Sequence, residues 1–136
     1  MADLRVRRGL QLTLRALGTV AVAAGTRGVV RGASEVPNPG AVSANVDSEY
    51  RFYAAWYPVF GVLLLRAARA PEREAVLIRA CGAGSLLAAT GRLLSVREHG
   101  TPHPSQRLLL GLELLIPAVI VPWQARVAGA ARDRRA

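Results

Sequence analysis

The chain has 136 residues, room for one domain, and 51% of them are hydrophobic. Its net charge of +9 comes from eighteen arginines, with no lysine, set against nine carboxylates. A soluble nucleic-acid binder would gather that charge on one face. Here the arginines stand mainly at the ends of apolar blocks, the pattern of membrane-flanking charge, and nucleic acid is excluded as a partner. The lone Cys81 allows neither an intramolecular disulfide nor a thiol pair, and inside an apolar block it is a small packing residue.

Arg5, Arg7 and Arg8 form a basic head before an apolar block from Leu10 to about Thr26. The opening has the look of a secretory signal peptide, but Arg15 would place a charge in the middle of its apolar region. Near the end of a spanning helix the same side chain can reach the headgroups. Seventeen residues at 1.5 Å each reach only ~25 Å, a marginal span, so the first helix is expected to run over about 10–30. The stretch from Gly28 to Val46, with Pro37, Pro39 and Gly40, reads as a loop.

The stretch from Asn45 to Gly61 holds six of the seven aromatic residues. Aromatic rings crowded at one end of an apolar segment mark a membrane–water boundary, so a second helix over about 48–65 is expected to begin at the outer surface. Asp47 or Ser48 can cap it, Glu49 suits the positive end of its dipole, and Pro58 should bend it. Tyr53, Trp56 and Tyr57 would form an aromatic mouth.

After a tight connection at Ala70-Pro71, a third helix is expected over about 75–96. Ala80, Gly84 and Ala88 recur at four-residue spacing, with Cys81, Ser85 and Ala89 beside them, a pattern that lets membrane helices approach closely. Gly84 and Ala88 are therefore the expected packing positions, and this helix should be the most buried. The stripe continues to Arg92. Gly100, Pro102 and Pro104 end it. His99 and His103 have a metal-like spacing, but Gly100 and Pro102 prevent the regular helix that would align them, so no metal site is assigned. A fourth helix, about 107–127 with Ser105 as a possible cap, carries Glu113 among leucines, Pro117 and Pro122. A basic tail with Arg132, Arg134 and Arg135 follows.

The fold expected is therefore all-α, an integral membrane four-helix bundle forming one domain over 1–136. The head, the second connection and the tail hold ten arginines, and the first and third connections hold Arg27, Arg31, Arg97 and Arg107. That asymmetry puts both termini in the cytoplasm and the protein in the cell membrane as a multi-pass chain.

With that topology Arg51 lies about 6 Å below Asp47, Arg92 about 7 Å below Arg97 and Glu113 about 9 Å below Arg107. Ionisable groups at such depth usually face the bundle and pair. Glu113 is expected to accept hydrogen bonds from Arg92, Arg51 or both, with Asp47 and Glu49 above. Pro117, four residues on, leaves the carbonyl of Glu113 without its helical donor. Two readings stand: a structural clamp between helices, or a ligand or proton site open to the outside. No glycine-rich phosphate loop, nucleophile elbow or zinc-spaced cysteine pair is present, so neither a cofactor nor a catalytic residue is assigned.

Asp47-Ser48-Glu49-Tyr50-Arg51-Phe52, Gly91-Arg92-Leu93-Leu94-Ser95 followed by Gly100-Thr101-Pro102, and Leu112-Glu113-Leu114 together resemble the pattern of small bacterial four-helix membrane proteins known as domain of unknown function 4345. The resemblance implies the fold and the recurrence of Arg51, Arg92 and Glu113 as polar positions, and it brings no activity. The architecture is also similar to that of DoxX-like four-helix membrane proteins. Two functions remain: a non-enzymatic membrane module with a structural cluster, or a binder or transporter of a lipophilic small molecule such as a lipid or quinone.

Overall fold

A computed structural model describes residues 2–134, so Met1, Arg135 and Ala136 lie outside the described residues. Those residues are helical, with no strand: α1 spans Ala2–Arg31, a 3-10 turn Gly32–Glu35, α2 Ala44–Ala54, α3 Trp56–Ala67, α4 Ala75–His99 and α5 Pro104–Asp133. Only Ala55 separates α2 from α3, and its own angles are helical (φ −65°, ψ −21°). The two are halves of one helix broken just ahead of Pro58, whose missing N–H removes the bond that would close on Ala54. The described residues thus form four helices.

The ends differ from the expected ones for local reasons. Helix α1 begins eight residues earlier than position 10, because the arginines of the head are good helix formers and no proline interrupts them. Helix α2 is capped by Ser43, whose hydroxyl accepts from the Val46 N–H at 3.3 Å, so neither Asp47 nor Ser48 is the cap. Helix α5 opens on Pro104 in its first turn, with His103 as the capping residue in place of Ser105. His103 Nδ1 accepts from the Ser105 N–H, which gives that imidazole a capping role.

The residues pack as two compact units. In the first, Gln11–Arg69, α1 runs antiparallel to α2 and α3. A Cβ added at Gly18 would lie 2.7 Å from the Gly61 carbonyl oxygen, and one added at Gly61 would lie 2.6 Å from that of Gly18. The backbones touch there, and any side chain would part them. One heptad on, Gly25 meets Pro58, Tyr57 and the carbonyl of Ala54, the group freed by Pro58. Gly18 and Gly25, seven apart, share one face of α1 and form a seam against α2 and α3, and Gly32 follows at the turn beyond the helix end. Gln11 closes the other end by donating to the carbonyls of Ala68 (3.0 Å) and Arg69 (3.3 Å), at the C-terminus of α3.

The second unit comprises the start of α1 and the chain from Ala70 onward, in which α4 and α5 form an antiparallel hairpin. Ile78 and Ala89 are buried from α4, and Pro117, Ile120, Gln124 and Val127 from α5. Helix α5, not α4, is therefore the more buried of the two. Gln124 is fully buried and donates to the Pro71 carbonyl at 3.1 Å. Trp123 Nε1 donates to the Val6 carbonyl, and Arg7 forks onto both oxygens of Glu72 at 3.0 and 3.2 Å. Helices α4 and α5 are each long and apolar enough to cross a membrane. Helix α1, with its arginines, and the broken α2–α3 pair fall outside that description.

Candidate polar sites of the two units

In the hairpin unit, antiparallel packing sets Arg92 of α4 opposite Gln106 and Glu113 of α5, which lie seven residues apart and so share a face. The Nε–H of Arg92 is shared between the two Glu113 oxygens at 3.0 and 2.9 Å, and Nη1 donates to Gln106 Oε1. The Arg92 and Glu113 side chains are 27% and 14% exposed, so both charges are largely withdrawn from solvent and each depends on the other. The Glu113 carbonyl, deprived of its helical donor by Pro117, accepts instead from the Ser85 hydroxyl at 3.0 Å. One residue of α5 is thus held twice by α4, through side chain and backbone. A cleft of about 220 Å³ adjoins the pair, lined by Arg92, Ser95, Val96, Pro102, Gln106 and Leu110.

In the glycine-seam unit, Arg51 lies at the end of α1. Its Nε donates to Asp47 Oδ2 at 2.7 Å, and its Nη1 donates to the carbonyls of Val29 and Val30. Those carbonyls belong to the last turn of α1, which has no intrahelical donors for them, so Arg51 acts as a C-cap supplied by another helix. Asp47 completes the joint by accepting the Ala33 N–H at 2.8 Å. Gly32 is required there on two counts: its φ is +70°, and an added Cβ would collide with Asp47 and Arg51. Hydrogen bonds from Arg51, and then from the Ala33 N–H, hold the Asp47 carboxyl below the usual carboxylate range. For Glu35, burial works toward protonation, but hydrogen bonds from Arg27 (2.6 Å) and Arg31 (3.1 Å) outweigh it and lower the pKa. For Glu72 burial is again outweighed, here by the hydrogen bond from Arg7.

The expected three-way cluster thus resolves into two pairs, one in each unit. Arg92 and Glu113 are together, and Arg51 is with Asp47. Glu49 is exposed and forms no ion pair among the described residues. Tyr53, Trp56 and Tyr57 are exposed on the outward side of α2 and α3, where Phe52 packs edge-on against Tyr53 and Trp56. On α4 the expected packing stripe is displaced onto the positions beside it: Gly84 is half-buried and Ala88 exposed, while Ile78 and Ala89 are buried, Cys81 is half-buried, and Gly82, Ser85 and Arg92 meet α5. Four residues turn a helix by about 400°, so a strict four-residue stripe drifts about 40° at each step and leaves the contact face. A contact alternates steps of three and four.

Sequence reasoning missed Gln106, Gln11 and the glycine seam, and it placed Ser85 beside the small-residue stripe without its bond to the Glu113 carbonyl. The seven-residue intervals from Gln106 to Glu113 and from Gly18 to Gly25 to Gly32 were the available signals.

The sequence pattern of one family, described as Domain of unknown function (DUF4345), matches residues 9–124. The chain belongs to that family. No curated protein and no solved structure matches the chain significantly. The DUF4345 match covers both polar pairs, the whole glycine seam and most of α5, and it stops just past Trp123.

Proposed function

We propose that this DUF4345 chain is a non-enzymatic, multi-pass module of the cell membrane. In this reading it is a single domain of four membrane helices with both termini cytoplasmic, and Arg92, Glu113 and Gln106 clamp α4 to α5 near the outer side. One observation carries the reading. Ser85 and Arg92 of α4 and Gln106 and Glu113 of α5 turn toward one another, while Leu87, Leu93, Leu108 and Leu115 are 74, 48, 65 and 59% exposed. A soluble helix pair places its polar groups outward, whereas lipid favours apolar exteriors and satisfied interior polar groups. The exposed rings of α2 and α3 suit the headgroup level.

The experiment uses a Cys81→Ala background with a single cysteine at Ser43, Thr101 or Ala136. A membrane-impermeant maleimide added to intact cells should label the first two sites and spare the third. Labelling of Ala136 alone would invert the topology. Release of the chain by alkaline carbonate would refute membrane insertion.

The cleft beside Arg92 favours a second reading, a binder of a lipophilic small molecule. Its apolar wall of Val96, Pro102 and Leu110 faces a guanidinium.

A further inference from the structure

Arg92 carries five N–H donors in a rigid fork, and the hydrogen bonds it makes use only Nε and Nη1. Among the described residues Nη2 has no acceptor, and neither does the hydroxyl of Ser95 have a partner. Both residues line the same cleft. The Arg92–Glu113 pair is internally neutral, and with His99 and His103 counted neutral the charged groups flanking it at the ends of α4 and α5 are Arg97, Glu98 and Arg107, one positive charge in excess. The local chemistry therefore offers hydrogen-bond donors and a net positive field to an oxygen anion, with Glu113 holding the guanidinium plane in place.

The remaining walls, Val96, Pro102 and Leu110, are apolar, and Leu109, next to Leu110 on α5, is exposed. About 220 Å³ is below the ~300–1,000 Å³ of a pocket that encloses a drug-sized ligand. The cleft can hold a small polar head, but a chain attached to that head must lie outside, along the apolar exterior of the hairpin.

We infer that the Arg92 cleft binds the oxyanion head of an acyl-chain amphiphile, with Arg92 Nη2 and the Ser95 hydroxyl donating to the head and the chain running over the exposed Leu109. The inference rests on the membrane reading. Glu113 serves as a positioning residue, because it orients the guanidinium and does not touch the ligand.

The test uses the full chain in nanodiscs of neutral phosphatidylcholine, and its incorporation there checks the membrane reading separately. Three probes are titrated by calorimetry: oleate, oleyl alcohol and acetate. Oleate should bind at least ten-fold more tightly than either of the others, since the alcohol lacks the charge and acetate lacks the chain. Equal binding of oleyl alcohol would overturn the role of Arg92, and equal binding of acetate would overturn the lipid assignment. Leu110→Trp fills the cleft and leaves the clamp residues in place. It should weaken oleate at least ten-fold with an unchanged melting temperature, and Ser95→Ala should weaken it several-fold. Unchanged oleate binding in Leu110→Trp would place the ligand elsewhere and overturn the proposal.

Discussion

The two units join helices by opposite means. In Gln11–Arg69 the side chains are removed: Gly18 and Gly61 bring two backbones into contact, and at the two ends Gln11 caps α3 and Arg51 caps α1. In the α4–α5 hairpin the part of the contact toward the connecting loop is polar, with Arg92, Glu113, Gln106 and Ser85 linked across it. The first arrangement draws on dispersion over a close backbone approach and tolerates no added atom. The second draws on charge and hydrogen bonds at low dielectric, so it tolerates changes of volume better than the loss of one partner.

The largest expected effect follows from that contrast. Gly25→Leu should cost at least about 3 kcal/mol, because the new side chain meets Pro58, Tyr57 and a carbonyl that cannot all withdraw. Gly91→Ala, on α4, meets nothing within 4 Å and should be neutral or slightly stabilising through helix propensity. Unfolding in mixed micelles would measure both, and equal stability of the two variants would remove the seam.

Next in size is the clamp. Glu113→Gln strands a half-buried guanidinium and should cost about 2–4 kcal/mol, within the range for breaking a withdrawn pair. Replacing Arg92 and Glu113 together should cost less than the sum of the single changes, a coupling that a double-mutant cycle reads directly. Strict additivity would mean that the pair contributes nothing to holding α4 against α5.

The smallest effect is the pH dependence, which should reside in the end joints and not in the backbone seam. Asp47, Glu35 and Glu72 all have lowered pKa values when folded. Their stabilisation is fully present above the ordinary values of 3.8 and 4.5 and is lost as the pH falls through the lower, folded values. The melting temperature should therefore be level above about pH 5 and decline on further acidification. Asp47→Asn should flatten part of that decline, and an unaltered acid limb in that variant would detach Asp47 from it.

The glycine variants probe what was hardest to see in the residues. Gly18 and Gly25 are scattered through an ordinary apolar block, and their seven-residue spacing acquires meaning only when Gly61 and Pro58 arrive opposite them. The alanines and glycine of α4, more conspicuous in sequence, mark a stripe that drifts off the contact face. Composition shows that backbones can approach. Which helices use that capacity depends on the partner.

Much else was settled by the chain locally. Four apolar blocks, the prolines and glycines that end them, and the arginines at their borders determine four helices and rough limits, because helix formation and interruption act over a few neighbouring residues. The freed carbonyl of Glu113 was likewise written in the position of Pro117, although its acceptance of the Ser85 hydroxyl was not. Pairing was decided by tertiary structure alone. Arg51 and Arg92 are the same residue type at similar expected depth, yet one closes the end of α1 with Asp47 and the other binds Glu113 and Gln106. A guanidinium on a flexible stem takes whichever acceptor the neighbouring helix presents, and sequence distance does not determine which helix that is.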